Sequence, residues 1–505
     1  MVLSSLLLQA FVLGLILLLI QCVFAYLSSP LRTLPGPFLA KFSDVWRLLN
    51  HYNRQHIKTQ QKLHEKYGNV VRIGPNAVSL SDVSLVKTIY STRGTYLKSD
   101  YYSVNDALQN GHIIPNLFST RSNEFHSSAL KPIQKLYSFS SALDLEPLMD
   151  DTVRALCSEL EKRFITGVNA GKTCDIADWI SFFTWDFLGD MTFSKRMGFM
   201  EQGKDVGGMI ETAEKVMGYF SVVGQMPILD KFLGKNPYCP IKFADFAVPA
   251  GFCIQRFAER DQNREEHKEN DFMNGFLEAK NQYPELVSDN EVIGYLMLNI
   301  LGGADTTAIV LKAIFYWILK NPGVKAKLVA ELRSAKLAFP SAYTVVEKLP
   351  YLDACIKEGL RIHPVVGHIL ERIVPPSGLT LSNGTVLPPG TIVGMNPWVL
   401  HRNAEVFGPK PDAFVPERWI QKEWESDSEF EGRIRIMKDA DLSFGSGNRT
   451  CLGRPLALVE LYKVTATLFG KYDMDLVHLH SEWELHEQWF VWPHKIKIIM
   501  RHIEA

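Results

Sequence analysis

The sequence predicts a mainly helical protein in which one large domain follows an N-terminal membrane helix. Three observations support this prediction: an uncharged apolar run at residues 6–27, a second apolar and helical segment around residues 290–320, and no linker-like tract between them. By length alone, 505 residues would suggest about two to four domains. Because no repeat, charge block or Ser/Gly/Pro-rich stretch divides the chain, we expect an anchor over residues 1–27 and one domain over residues 28–505.

The N-terminal run is long enough to cross a membrane, since roughly 20 apolar residues span a bilayer core. The alternative is a cleaved signal peptide. No Lys or Arg precedes the run, however, and it exceeds the usual signal-peptide core of about 7–15 residues. Arg32, Lys41 and Arg47 follow the run, so the positive-inside rule places the large domain in the cytosol.

Composition excludes several classes of protein. The formal net charge of −1 gives no indication of nucleic-acid binding, and a hydrophobic content of 46% is enough for a sizeable core. The seven cysteines are scattered, odd in number and form no CxxC pair. This pattern favours a reducing compartment over a disulfide framework.

The second apolar segment is predicted to be a buried helix with an unusual centre. Ser288 and Glu291 have the spacing of a capping box, and Pro322 ends the segment. Residues 302–307, Gly-Gly-Ala-Asp-Thr-Thr, interrupt the apolar pattern. A mid-helix glycine costs about 1 kcal/mol relative to alanine, and a buried carboxylate needs a partner. Such residues at the centre of a core helix indicate function, and Thr306 is placed to bond back to the carbonyl of Gly302.

Two further segments carry charged residues. Glu358 and Arg361 lie three residues apart on one helical face, and Arg418 follows in a Pro-Glu-Arg-Trp segment. By spacing alone, such a pair is usually a solvated surface contact worth under about 1 kcal/mol.

Residues 444–453 carry the strongest functional signal. Glycines at 445 and 447 let the main chain come close to the sulfur of Cys451, Arg449 is a planar cation suited to a carboxylate, and Pro455 suits the first turn of a following helix. A single cysteine is more often a small buried hydrophobe. The full register of this segment instead indicates a thiolate that ligates haem iron.

The chain resembles the cytochrome P450 family, whose haem-binding signature is Phe-x-x-Gly-x-Arg-x-Cys-x-Gly. Its fixed positions are filled here by Phe444, Gly447, Arg449, Cys451 and Gly453. The family's motifs at 302–307, 358–361 and 416–419 appear upstream in the expected order, so the resemblance covers nearly the whole chain after the first thirty residues. It implies the cytochrome P450 fold, a large helical domain with small β-sheets.

The resemblance also implies roles for individual residues. Haem b would be bound with Cys451 as the iron's axial ligand, and Asp305 and Thr306 would supply protons for oxygen activation. Glu358, Arg361 and Arg418 would form a structural triad. The residues expected to hold or line the haem are Phe444, Gly447, Arg449, Gly453, Arg372 and a member of the helix near 121–140, where His126 and Lys131 remain alternatives.

By the same resemblance, the protein would be a monooxygenase that inserts one oxygen atom from O2 into an apolar small molecule. Electrons would come from NADPH–cytochrome P450 reductase, at the endoplasmic reticulum membrane with the catalytic domain facing the cytosol. Two interpretations are open for Lys131, Lys135, Arg454 and Lys463: a basic face that receives an acidic reductase, or solvated surface residues, which are the commoner case. The substrate pocket would draw on residues near 100–120, 205–235, 302–306, 365–370 and 487–491.

Residues 67–76 and 96–100 resemble filamentous-fungal microsomal members, particularly the pisatin demethylase-like branch. This suggests secondary-metabolite biosynthesis or, alternatively, detoxification of xenobiotics or phytoalexins by hydroxylation or demethylation. A haem-thiolate isomerase or dehydratase that needs no reductase, and a haem sensor, are the remaining classes. The substrate and the position oxidised stay open.

Overall fold

The computed structural model describes residues 2–109, 111–239, 247–262, 270–480 and 482–503. Within the first helix, the side chains are described only in part. The predicted bounds at Met1 and at residue 505 lie outside the described residues.

Helices dominate the described chain. The first twelve α-helices are α1 (Val2–Ser28), α2 (Val45–Tyr52), α3 (His56–Tyr67), α4 (Val86–Ile89), α5 (Asn123–Leu130), α6 (Phe139–Asp144), α7 (Glu146–Leu160), α8 (Ile176–Phe193), α9 (Phe199–Gln202), α10 (Met209–Val223), α11 (Ala247–Gln262) and α12 (Phe272–Gln282). The others are α13 (Asp289–Lys320), α14 (Pro322–Ser334), α15 (Tyr343–Val346), α16 (Pro350–Ile362), α17 (Pro397–Leu400), α18 (Ala404–Phe407), α19 (Asp427–Asp439) and α20 (Arg454–Lys471).

Short turns of other helix types connect these elements. A π-helical turn at Glu161–Ile165 continues α7. The 3₁₀ turns lie at Leu39–Lys41, Val83–Leu85, Asp100–Asn105, Gln134–Tyr137, Gly167–Asn169, Val206–Gly208, Pro227–Lys231, Pro416–Trp419 and Gly447–Arg449.

The strands are short and form five small sheets among the described residues. They are β1 (Val70–Arg72), β2 (Ala77–Leu80), β3 (Ala107–Gln109), β4 (His112–Ile114), β5 (Cys174–Asp175), β6 (Arg372–Ile373), β7 (Leu379–Thr380), β8 (Val386–Leu387), β9 (Ile392–Met395), β10 (Tyr472–Leu476), β11 (Glu484–Glu487), β12 (Val491–His494) and β13 (Lys497–His502). The largest sheet has the order β1-β2-β9-β6, with β2 and β9 parallel and the outer pairs antiparallel. A second sheet has the order β10-β13-β5, and the hairpins β3–β4, β7–β8 and β11–β12 stand alone.

The long helix α13 runs through the main hydrophobic core. It begins with the predicted capping box, since the side chains of Ser288 and Glu291 each accept a backbone N–H of the first turn. It packs against α8, α16 and α20, and most of its side chains are buried. The predicted mainly helical fold with small sheets is therefore confirmed, and the buried apolar faces of these four helices form its centre.

The predicted anchor is helical, because α1 covers the whole apolar run. Its described apolar side chains lie on the outside of the protein, with Leu17 58% and Phe24 72% exposed. By length and hydropathy, the one helix of the described residues that could span a membrane is α13, and 72% of its apolar window is buried inside the protein. This burial identifies α13 as a core helix.

Candidate functional site

The loop that carries Cys451 is held close to its neighbours by glycine. Gly447 has a φ of +71°, and a Cβ at this position would lie 2.1 Å from the carbonyl oxygen of Tyr90. Only glycine meets both conditions without displacing the backbone. The loop then turns back, and the N–H of Cys451 donates to the carbonyl of Phe444 at 2.8 Å.

The start of α20 sets the electrostatic surroundings of the Cys451 thiol. Gly453 is the residue before the helix, and Pro455 lies in its first turn, as predicted from the sequence. Protein atoms enclose the cysteine on most sides, so burial raises the pKa of its thiol, while the N–H groups of Gly453 and Arg454 lower it. The residue nevertheless keeps an open face. A sulfur at a helix N-terminus with an open face is suited to bind a metal as thiolate.

The centre of α13 has the local bonds that the sequence predicts. The hydroxyl of Thr306 donates to the carbonyl of Gly302 at 2.8 Å, and Thr307 makes the corresponding bond to Gly303 at 3.1 Å. The helix stays continuous through these residues. A Cβ at Gly302 would meet no atom within 4 Å, whereas one at Gly303 would lie 2.9 Å from Leu188 of α8. Gly302 therefore faces open space, and Gly303 allows the two helices to pack closely.

Asp305 points away from that open space. It is 3% exposed, and its carboxylate accepts a hydrogen bond from the indole N–H of Trp185 in α8 at 2.9 Å. Burial raises the pKa of Asp305 to about 6, although the bond from Trp185 and the charge of Lys312 lower it. The carboxyl group of Asp305 is thus almost completely shielded from solvent. A carboxyl group with a pKa near neutrality can nevertheless both take up and release a proton.

Four basic side chains meet above the cysteine loop, and we call them the cation cluster: Lys98, His126, Arg372 and Arg449. Arg372 and Arg449 both depress the pKa of Lys98, after the larger effect of burial, and Arg449 and Lys98 act in the same way on His126. Burial, followed by the charge of Arg372, lowers the pKa of Arg449 to about 10. The groups are therefore close enough to repel one another.

No carboxylate of the described residues lies within ion-pair distance of the cation cluster. Arg449 donates to the carbonyl of Ser122 at 3.0 Å and to the amide oxygen of Asn123 at 3.1 Å, but its buried Nη1 has no partner there. Buried cations are normally paired. Haem b carries two propionates, so this set of donors fits the group that the Cys451 loop implies.

Of the two alternatives predicted for the haem contact of this helix, His126 and Lys131, only His126 belongs to the cation cluster. His126 is half-buried in α5 beside Arg449, whereas the exposed Lys131 directs its ammonium group toward the ring of Tyr283, 6.0 Å away. The helix expected near 121–140 is shorter than that, because Pro132 removes a backbone donor just after α5. The propionate contact of either residue stays a prediction.

Sequence reasoning missed Lys98. It is 8% exposed, and its ammonium group lies 4.3 Å from the ring centres of both Tyr102 and Phe118. An isolated bridge pairs it with Arg372, which is 274 positions away in the chain. No local pattern marks such a residue, because its neighbours in the fold are distant in the sequence.

An aromatic cluster adjoins the cation cluster. Ring centres of Phe220 and Trp489 lie 4.9 Å apart, and those of Tyr101 and His368 lie 4.5 Å apart. Four of the five segments predicted to line the substrate pocket meet here, through Tyr101, Tyr102, Phe118, Phe220, His368 and Trp489. The fifth segment, 302–306, is the centre of α13.

The structure also brings the three residues of the predicted triad together. Glu358 is fully buried and receives two bonds from Arg361, at 2.7 and 2.8 Å, and one from Arg418 at 3.2 Å. The indole N–H of Trp419 donates to the same carboxylate at 2.9 Å. The remaining guanidinium N–H groups reach backbone carbonyls between residues 401 and 413.

The predicted basic face for a reductase is wrong in one residue. Lys463 is buried and pairs with Glu146 at 2.5 Å and Asp150 at 2.7 Å, because it lies on the inner side of α20. Lys131, Lys135 and Arg454 are exposed.

Comparison with known proteins agrees with this geometry. The family model described as Cytochrome P450 matches residues 35–500. The chain is 35% identical to "Cytochrome P450 monooxygenase cfoH" of Aspergillus candidus, over 95% of this chain and 90% of that protein. It is 38% identical to "Cytochrome P450 monooxygenase pkfB" of Emericella nidulans, over 88% of this chain and 86% of that protein. The family match spans both the cysteine loop and the cation cluster. The chain therefore belongs to the cytochrome P450 family of monooxygenases.

Proposed function

We propose that this protein is a membrane-anchored haem-thiolate monooxygenase that inserts one oxygen atom from O2 into an apolar small molecule of fungal secondary metabolism. The observation that carries the proposal is the juxtaposition of the Cys451 loop with a cation cluster, buried at Lys98 and Arg372, that has no carboxylate partner in the described chain. Bound haem would supply the reductive activation of O2.

The residues of the chain would share the work around that group. Cys451 would ligate the iron, and the cation cluster would hold the two propionates. Thr306 would pass a proton into the space beside Gly302, because its hydroxyl can donate to a neighbour and accept from another. Asp305, with a pKa near 6, would take up and release that proton on the side of α13 that faces α8.

The aromatic cluster supports an apolar substrate. Its rings lie next to the cation cluster and pack on one another, and five of its six side chains are buried. Apolar walls favour apolar ligands and exclude water. Biosynthesis and detoxification use the same chemistry on such substrates, and we favour biosynthesis because the relatives are monooxygenases of filamentous fungi that cover most of this chain.

Reductase delivery of electrons is supported by three exposed bases, Lys131, Lys135 and Arg454, which offer positive charge to an acidic partner. Attachment to the endoplasmic reticulum membrane is supported by α1, because large apolar side chains among those described in this helix, such as Leu17 and Phe24, are exposed. Deleting residues 1–27 should release the protein from membranes while its haem spectrum is kept. N-terminal sequencing that begins near residue 26 would show a cleaved signal instead.

The function is tested by reconstituting the purified protein with NADPH–cytochrome P450 reductase and following a panel of apolar compounds under heavy-isotope O2. We expect substrate-dependent NADPH consumption and one labelled oxygen atom per product. Cys451→His should abolish both and lose the red-shifted Soret band of the ferrous–CO complex, whereas Cys22→Ser in α1 should keep all three. Conversion of a lipid hydroperoxide without any reductase would instead favour the isomerase or dehydratase class.

A further inference from the structure

Three side chains remote from the cysteine loop join α10 to the β11–β12 hairpin. In the hairpin, His486 pairs with Trp492 and Glu484 pairs with His494. The two histidines are therefore diagonal neighbours on one face of the hairpin. Glu214 of α10 faces them, and one ligand atom from each of the three residues lies within 4.8 Å of the other two.

The carboxylate of Glu214 serves both imidazoles, but unequally. One oxygen lies 2.5 Å from Nδ1 of His486, and the other lies 3.6 Å from Nε2 of His494. That Nε2 is buried and has no hydrogen-bond partner in the described chain. Buried ring nitrogens normally have a partner, so the unpartnered Nε2 of His494, directed at Glu214, favours a ligand shared by these two residues.

We propose that Glu214, His486 and His494 bind a divalent transition-metal ion, for which Zn²⁺ is the best fit. Two imidazole nitrogens and one carboxylate oxygen form a donor set suited to zinc, whereas Mg²⁺ and Ca²⁺ prefer oxygen alone. Tetrahedral zinc with bonds of about 2.0–2.2 Å needs donor atoms about 3.3–3.5 Å apart. Small side-chain rotations would bring atoms now within 4.8 Å to that spacing. Water would complete the fourth position.

A second carboxylate supports the geometry of the first ligand. Oε1 of Glu484 lies 2.9 Å from Nε2 of His486, on the side of the ring opposite Glu214. Metal-binding histidines commonly donate their outer N–H to such a carboxylate, which fixes the ring and frees the inner nitrogen for the metal. Glu484 is itself held by Lys495 at 2.6 Å.

Positive charges nearby limit the choice of metal. Arg54 and Lys312 both lie within electrostatic range of Glu214. They weaken a site that relies on charge alone, as a calcium site does, more than one in which imidazoles form directed bonds. The positive charges of Arg54 and Lys312 therefore disfavour calcium more than zinc at this site.

Zinc at this position would hold two walls of the aromatic cluster together. Phe220 projects from α10 and Trp489 from the tip of the β11–β12 hairpin, and their rings lie 4.9 Å apart. The metal would add a second, directional link between the same two elements. This inference does not depend on the proposed oxidation chemistry.

The test uses the full-length haem protein, purified without a histidine tag, freed of metal by chelation and dialysed against Zn²⁺. We expect one zinc per chain, with an X-ray absorption spectrum that shows nitrogen and oxygen donors and no sulfur. Glu214→Gln, His486→Gln and His494→Gln should each lose this zinc, and Glu484→Gln should weaken binding about 10–100-fold. His112→Gln, at an exposed histidine of β4, should bind as the unaltered protein does.

Haem spectra and melting temperatures of the same samples separate loss of the site from loss of the fold. Zinc should raise the melting temperature of the unaltered protein and of His112→Gln, because a ligand that binds only the folded state stabilises it, and should leave the three ligand variants unchanged. The proposal is overturned if the unaltered protein binds no zinc, or if all three ligand variants bind as much as it does. If the ligand variants do not fold, a zinc spectrum with sulfur donors in the unaltered protein overturns it equally.

Discussion

At the scale of single residues, two neighbours in α13 have opposite surroundings. Successive helical residues are turned by about 100°, so Thr306 faces the open side near Gly302 while Asp305 faces α8. The bond from Thr306 to Gly302 could be predicted from the sequence, because it is local. The burial of Asp305 against Trp185 could not, because these residues lie 120 positions apart.

Replacing Thr306 by alanine should uncouple NADPH consumption from product formation. Substrate binding and haem reduction should be unchanged, because the one hydrogen bond of this hydroxyl to the described residues stays within its own helix. Loss of a proton-transfer group commonly costs about 10²–10⁴ in rate, so most of the NADPH consumed should yield hydrogen peroxide instead of product. Product formed per NADPH is the quantity to measure.

Thr307→Ala is the matched control for this change. It removes the same kind of hydroxyl-to-carbonyl bond one position further along, from a buried side chain. We expect a small loss of stability and unchanged coupling, and Thr306→Ser should restore coupling. If Thr306→Ala keeps the coupling of the unaltered enzyme, Thr306 has no part in proton transfer.

At the scale of elements, Glu358 ties α16 to the turn that carries Arg418. The pair Glu358–Arg361 could be predicted as a contact from its i, i+3 spacing, although spacing alone favoured an exposed pair. The structure instead buries all three charges. Their burial depends on carbonyls from residues 401–413, which no local pattern reveals.

Glu358→Gln should destabilise the protein and prevent stable haem incorporation. Removing one partner of a buried ion pair leaves the other charges uncompensated, which typically costs about 3–5 kcal/mol. Glu417→Gln is a suitable control, since Glu417 is adjacent to Arg418 but forms an exposed pair with Lys327 and should matter little. Urea unfolding and haem content per chain measure the effect. A stable, haem-loaded Glu358→Gln enzyme with slow turnover would assign the residue to catalysis instead.

At the scale of the whole molecule, the sequence identifies elements better than it identifies sites between them. The capping box, the long core helix and the cysteine loop are contiguous in the chain, and all are found where they were predicted. Only tertiary packing brings Lys98 to Arg372, and only tertiary packing brings Glu214 to His494. Long-range contacts of this kind leave no periodicity or fixed spacing in the sequence.

Buried histidines are a second property of the whole molecule. Burial lowers the pKa of His363 and His401 to about 4 and that of His368 to about 3. An unfolded histidine has a pKa of about 6.5. Between these values the unfolded chain binds protons that the folded protein does not, so the folded state loses stability as the pH falls. Asp305 acts in the opposite direction, because its pKa is raised on folding.

Acid should therefore destabilise this protein well before its carboxylates titrate in the unfolded chain. Each buried histidine contributes up to about 1.4 kcal/mol per pH unit between its folded and unfolded pKa values, so the free energy of unfolding should fall between pH 6 and 5. Urea unfolding at pH 7.5, 6.0 and 5.0 measures this slope. His363→Gln should reduce it by up to about 1.4 kcal/mol per unit, and His478→Gln, at an exposed ring, is the matched control. A free energy of unfolding that stays constant from pH 7.5 to 5.0 would mean that the folded protein takes up as many protons as the unfolded chain over this range, which contradicts the prediction.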